Sequence, residues 1–150
     1  MISQDNVLTA IWSDLNNDTA LRSLLGDSGR IVKGPKRPDG LTNPCVTVHM
    51  PVRTQGADWH GANRLLRITT DPVLIAAFAD NVDNGAMDVG LLSTICAHVH
   101  SIAADSKPSI PGATVHRIGQ LSESGPLLDR TEPHEAYTIM SFGYWISKSF

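Results

Sequence analysis

The sequence carries few charges, and their balance is not basic. Charged residues make up 18% of the 150 residues, and the formal net charge is −3. The negative net charge argues against a protein that binds duplex DNA through a broad basic face. A surface with few charges is compatible with extensive coverage by partner proteins.

Long hydrophobic runs are absent, and cysteine is scarce. No apolar stretch approaches the roughly 20 residues that a membrane-spanning helix needs. The first residues, MISQDNVLTA, lack the basic and apolar regions of a signal peptide. The only cysteines are Cys45 and Cys96, each in an apolar segment. We therefore expect a soluble protein with two free, buried thiols in a reducing compartment and no association with membranes.

Signatures of catalysis are also missing. There is no Gly-x-Ser-x-Gly elbow, and the segments GDSG and GPKRPDG lack the GK[ST] ending and preceding strand of a phosphate-binding loop. On a helix, His98 and His100 point about 200° apart, so they do not easily share a metal ion. We expect no enzyme activity, no cofactor and no metal. The alternative function, which belongs to a different class, is that of a small metal-dependent hydrolase or nuclease that uses His60, His98 or His100.

The N-terminal part of the sequence has a helical pattern. An apolar stripe at positions i, i+3, i+4 and i+7 predicts an amphipathic helix: Leu8, Ile11, Trp12 and Leu15. Asp18 is suited to cap a second short helix, and Gly26 to end it. The pattern predicts either two helices in tandem or one helix with a kink.

Strand patterns follow a loop rich in glycine and proline. Residues 28–44 form this loop, with a possible short strand at Ile31 and Val32, and residues 45–50 are a β-branched run of strand length. Residues 65–70 and 73–78 also read as strand, either as two short strands or as one strand with a bulge at Pro72. The alternative for residues 73–78 is a helix that begins at Pro72, and the local pattern leaves these possibilities open.

The C-terminal half contains the most regular pattern. Residues 86–104 keep helical spacing, and residues 113–121 and 136–146 read as two strands of an antiparallel hairpin. In the first strand, Val115, Arg117 and Gly119 alternate against His116 and Ile118. Glu132 and Glu135 precede the last strand, where we interpret them as charges at a sheet edge that discourage wrong pairing. The sequence predicts a single α+β domain over residues 1–150, with a mostly antiparallel sheet of about four strands on which an N-terminal and a central helix pack.

Three segments are candidate contact surfaces. The loops of residues 28–44 and 52–63 are longer than their turns require, and loops of this length in a compact domain are usually functional or disordered. In the last strand, Tyr144 and Trp145 point to opposite faces. Either one is core and the other half-exposed, or the pair contacts another subunit. The predicted interface residues are Lys33, Lys36, Arg37, Trp59, His60, Tyr144 and Trp145.

Two long segments carry a resemblance to a known family. The first is ALRSLLGDSGRI, which leads through the glycine- and proline-rich loop to NPCVTVHM, and the second is GPLLDRTEPHEAYTIMSFGYWI. Together they resemble the tail terminator, or tail completion, proteins of long-tailed bacteriophages and gene transfer agents. The resemblance covers nearly the whole chain, and residues 54–72 depart from the family pattern.

The resemblance implies a structural virion protein. Its protomer would be α+β and would assemble into a hexameric ring at the head-proximal end of the tail tube. That ring would stop tube polymerisation and contact the tail tube protein on one side and the head connector or stopper on the other. It would assemble in the host cytoplasm, and genome DNA would pass its lumen without sequence-specific binding. A head-completion or stopper protein of the neck is the alternative within the same class.

Overall fold

The N-terminal region consists of two helices in tandem, α1 (Gln4–Asn17) and α2 (Thr19–Leu25). The side chain of Asp18 accepts a hydrogen bond from the backbone N–H of Leu21 at 2.8 Å, which caps α2. Gly26 ends α2 with φ 88°, a left-handed conformation that favours glycine. The prediction of two helices in tandem is therefore confirmed, with Asp18 as the N-cap of α2 and Gly26 as the residue that ends it.

The structure is a computed structural model that describes residues 4–26, 29–50, 67–69, 73–82, 86–87, 89–105, 107–125, 127–128 and 135–148. Within these ranges the strands are β1 (Ile31–Lys33), β2 (Cys45–His49), β3 (Arg67–Thr69), β4 (Val73–Val82), β5 (Ala86–Met87), β6 (Ala113–Glu123), β7 (Leu127–Leu128) and β8 (Glu135–Lys148).

The 14-residue strand β8 is the centre of the sheet. Strands β4 and β3 pair with it antiparallel along one edge, and β6 and β7 pair with it antiparallel along the other. Beyond β4 lies β2, also antiparallel, and then β1, which is parallel to β2. The predicted α+β class, the mostly antiparallel sheet and the C-terminal hairpin are confirmed.

The strand count differs from the expected four, because the described sheet has eight strands. Four of the eight, β1, β3, β5 and β7, are two or three residues long. β1 and β3 lie at segments that the sequence indicates as strands, Ile31 with Val32 and residues 65–70. β5 and β7 were not predicted, because an alternation of period two cannot be recognised in two residues.

Residues 73–78, for which the sequence pattern allows either a strand or a helix, belong to the strand β4. It lies between β2 and β8 and pairs with both, which gives its backbone groups partners along two edges. Its residues Val73, Ile75, Ala77 and Ala79 are buried on the side of the helices. Phe78 and Ala76 are buried on the opposite side. A strand covered on both faces has an almost continuous apolar run, which periodicity alone cannot separate from a buried helix.

The central helix α3 spans Val89–His100 and continues as a five-residue π-helix, Ser101–Asp105. The predicted start at Ala86 was wrong, since Ala86 and Met87 pair with the end of β4 as β5. The predicted alternation in β6 was also wrong. A bulge between Val115 and Arg117 changes the parity of the strand, so Val115 and Ile118 stand opposite Ile146 and Tyr144.

The three helices cover one face of the sheet, and the main core lies between them. This face of β8 contributes Ala136, Met140, Phe142, Tyr144 and Ile146. On the other face, which we call the helix-free face, a smaller cluster forms from Cys45, Ala76 and Phe78, with Leu41, Tyr137 and Ile139 packed against it. Both cysteines are free and buried, as predicted.

Candidate interface

The glycine- and proline-rich loop predicted at residues 28–44, which we call the basic loop, is tied to the central strand by an ion pair. Arg37 donates from Nε to the carboxylate of Glu135 and from Nη1 to the carbonyl of Leu41. Asn43 donates to the same Glu135 oxygen at 3.0 Å. The Glu135 side chain is only 7% exposed and that of Arg37 23%. The interpretation of Glu135 as charge at a sheet edge was wrong, because β8 is central and this buried carboxylate has partners that compensate its loss of water.

Lys33 is held against α1 rather than projecting from the loop. Its ammonium group donates to Oγ1 of Thr9 at 2.8 Å and lies 5.4 Å from the centroid of the Trp12 ring. The indole N–H of Trp12 in turn donates to the carbonyl of Ile31 at 2.8 Å. A cation above an aromatic face is attracted by the negative potential of the ring. Lys33 and Arg37 therefore have partners on different elements, α1 and β8, and Lys36 is exposed on the loop.

Tyr144 and Trp145 lie on opposite faces, with one in the core and one exposed. Tyr144 is fully buried, and its hydroxyl donates to the carbonyl of Ala103 at 3.1 Å. Burial, and secondarily the carboxylate of Asp14, raises the pKa of Tyr144 above its ordinary value. Trp145 is 41% exposed on the helix-free face. The remaining predicted interface residues, Trp59 and His60, lie outside the described residues.

A cavity of about 400 Å³ opens between α3 and the sheet, and sequence analysis did not anticipate it. We call it the α3 trough; it is lined by Leu92, Ser93, Cys96, Ala97, His100, Glu123 and Thr138. The sequence carried one signal, since Cys96 and His100 are four residues apart and so share a helix face. The contribution of Glu123 depends on the pairing of β6 with β8, which puts this residue opposite Met140.

The Cys96 thiol in the trough lacks the ionisation that a cysteine nucleophile needs. Burial, and secondarily the Glu123 carboxylate, raises the pKa of Cys96 to about 11, against the opposing effect of a hydrogen bond with Thr138. The thiol is therefore neutral near pH 7, where a nucleophile would need to be a thiolate. The rings of His100 and Phe142 pack edge to face, with centroids 6.1 Å apart. Among the residues that the structure describes, no three His, Cys, Asp or Glu side chains are placed to hold a metal ion.

The described helices include none with the length and apolar character to cross a membrane. The described residues form an α+β fold, with three helices on one face of a mixed, mostly antiparallel sheet.

Comparison with solved structures finds this fold elsewhere. It is similar to a chain from the virion of a native gene transfer agent particle, with a TM-score of 0.67, 11% sequence identity and 93% of each chain covered. A second solved protein, identified only by a sequence number, is similar with a TM-score of 0.62 and 15% identity over 100% of this chain and 99% of the other. Neither the family models nor the curated proteins contain a match to the sequence. At these identities the similarity establishes a shared fold over nearly the whole length.

Proposed function

We propose that this chain is a structural virion protein of the tail terminator type. It forms a ring, hexameric by the family resemblance, at the head-proximal end of a tail tube, where it ends tube polymerisation and joins the tail to the head connector. The observation that carries the proposal is the fold shared with a gene transfer agent virion chain over 93% of both chains. The sequence resemblance to tail terminators supports the same conclusion from the residues.

The basic loop is built to contact a partner without a large loss of entropy. Arg37 anchors it to Glu135, Arg30 donates to the carbonyl of Thr42, and Leu41 packs on the helix-free face. A loop that is already ordered loses little conformational freedom on binding. It presents Lys36 at a fixed place on the surface, where it would meet an acidic surface of the tail tube or of a neighbouring subunit.

The exposed apolar side chain of Trp145 is a second contact. Aromatic side chains are enriched in the buried centres of protein interfaces and often dominate their binding energy. The loop that carries Trp59 and His60 is proposed as a third contact on sequence grounds. Tyr144 has no exposed surface to offer a partner and serves instead to fix the π-helix on the sheet.

Assembly and particle morphology test the proposal. Native mass spectrometry of the full chain should show an oligomer, expected at six times the monomer mass, and negative-stain microscopy should show rings. Particles made without the chain should carry tubes of uncontrolled length, because their ends would not be closed. If such tubes have normal length but do not join heads, the chain is a neck stopper instead. A chain that stays monomeric at all concentrations and is absent from purified particles would refute the virion role.

A further inference from the structure

Part of the basic loop covers apolar residues on the helix-free face. This part is residues 34–44, which we call the strap, and it runs from the end of β1 to the start of β2. The strap side chain of Leu41 packs on the smaller cluster, in which Cys45 is 0% and Phe78 6% exposed. In the sheet register Cys45 stands opposite Phe78, and Phe78 stands opposite Tyr137. These side chains form one row across β2, β4 and β8, and the strap lies over one end of it.

The strap is fastened to the sheet at a single carboxylate. Arg37 and Asn43, both in the strap, donate to the same oxygen of Glu135 in β8. Arg37 also donates to the carbonyl of Leu41, which ties the covering residue to the same point. Both hydrogen-bond partners of Glu135 among the described residues come from the strap. This carboxylate therefore loses both partners and regains water in one step when the strap moves away.

The rest of the strap is irregular and largely exposed. All of its residues are described by the structure, and none belongs to a helix or a strand. Near its two ends Gly34 donates to the carbonyl of Val48 at 2.9 Å, and Thr42 accepts from Arg30. Its exposed residues are Pro35, Lys36, Pro38, Asp39, Gly40 and Thr42. Segments with exposed backbone and few buried apolar contacts open at a lower free energy than the core, so the strap is able to open while the sheet stays folded.

We propose that the strap is a two-state lid, closed when Arg37 and Asn43 hold the Glu135 carboxylate and open when they release it, and that only the closed state contacts partners. The closed strap shields Cys45 and holds Lys36 at a fixed place on the surface. When part of the population is open, the apparent affinity for a partner falls by the fraction that remains closed. The statement on partners rests on the proposed function, and the statement on opening does not.

Alkylation of the two cysteines measures the opening, because they lie on opposite sides of the sheet. Cys45 lies beneath the strap, and Cys96 lines the α3 trough. Arg37→Met leaves the Glu135 carboxylate buried and charged in the closed state, which favours the open state, where water reaches it. Iodoacetamide labelling of the monomer should then be about 100-fold faster or more at Cys45 and change less than about twofold at Cys96. Lys36→Met, the same change at the exposed neighbouring position, should leave both rates as in wild type.

Two further variants separate release of the strap from a general loss of stability. Adding Glu135→Gln to Arg37→Met removes the charge that drives opening, so the Cys45 rate should return toward that of wild type. Leu21→Ala removes a fully buried side chain of α2, on the helix side of the sheet. It should accelerate Cys45 and Cys96 by similar factors, since both then react through unfolding of the whole chain. Equal acceleration of both cysteines in Arg37→Met, or of neither, would overturn the lid.

The assembly equilibrium tests whether the closed state is the one that contacts partners. The open fraction of Arg37→Met follows from its Cys45 rate relative to that of the urea-unfolded chain. A variant that is about 90% open should have a dissociation constant of assembly about tenfold above that of wild type. The added Glu135→Gln should restore assembly, which separates closure of the strap from a direct contact of Arg37. Unchanged assembly of Arg37→Met despite a released Cys45 would overturn the requirement for closure.

Failure of the lid and failure of the proposed function have different outcomes. If wild type never assembles and Arg37→Met still releases Cys45 alone, the lid stands and the ring function fails. If wild type forms rings and Arg37→Met does not release Cys45 selectively, the lid is wrong and the ring function stands.

Discussion

At the scale of single residues, Cys96 shows how burial sets reactivity. Its pKa is raised to about 11, so its alkylation in dilute protein should be slow at pH 8 and increase up to about pH 11. In the unfolded chain the Cys96 thiol ionises near its ordinary pKa of 9.0. As the pH rises from about 9 to about 11, the unfolded chain therefore gains the charged thiolate while the folded chain does not, and the free energy of unfolding decreases. Iodoacetamide labelling followed by mass spectrometry measures the rate, with circular dichroism at each pH as the control for folding. A rate that levels off below pH 9 would contradict this assignment.

The pair of Arg37 and Glu135 makes a second prediction at this scale. Arg37→Met leaves the buried carboxylate of Glu135 with Asn43 as its one remaining hydrogen-bond partner among the described residues and should cost about 3 kcal/mol of unfolding free energy. Adding Glu135→Gln to Arg37→Met removes the uncompensated charge and should recover part of this loss. Urea denaturation measures both. Lys36→Met is the control and should change stability by less than about 0.5 kcal/mol, because Lys36 is exposed on the same loop.

At the scale of elements, the alternation along β8 separates a core residue from an exposed residue. Phe142 is fully buried between α3 and the sheet, so Phe142→Ala should cost about 4 kcal/mol of unfolding free energy. Trp145, three positions later on the other face, is partly exposed, so Trp145→Ala should cost the monomer much less. Thermal or urea denaturation of both variants at concentrations where the chain is monomeric makes the comparison. Equal losses would mean that Trp145 belongs to the fold of its own chain.

At the scale of the whole molecule, the net charge of −3 predicts weak binding to DNA. Duplex affinity depends largely on phosphates neutralised by Lys and Arg, and this chain has 12 such residues against 15 Asp and Glu. Of the cations, Arg37 is paired within the chain and Lys33 is held on α1. Fluorescence anisotropy with a labelled duplex at physiological salt should give a dissociation constant weaker than about 1 µM. Nanomolar affinity would contradict the proposal that genome DNA passes without being bound.

The sequence by itself determined those features that repeat within one element. The stripe from Leu8 to Leu15, the cap at Asp18 and the stop at Gly26 define the first two helices, and the alternation of β8 separates Tyr144 from Trp145. These patterns, together with the apolar segments that contain both cysteines, were sufficient to predict the α+β class. Each of them depends on the local geometry of a helix or a strand, which a stretch of about ten residues already expresses.

Only the tertiary structure decided the features that join distant residues. The run at 73–82 became a strand because β2 and β8 pair with it on both sides. Glu135 became a buried partner of Arg37, 98 residues away, and the trough arose where β6 brings Glu123 to the face of α3 that carries Cys96. The bulge in β6 reversed the face of Ile118. No local pattern encodes these contacts, because long-range pairing depends on which apolar surfaces cover one another when the whole chain folds.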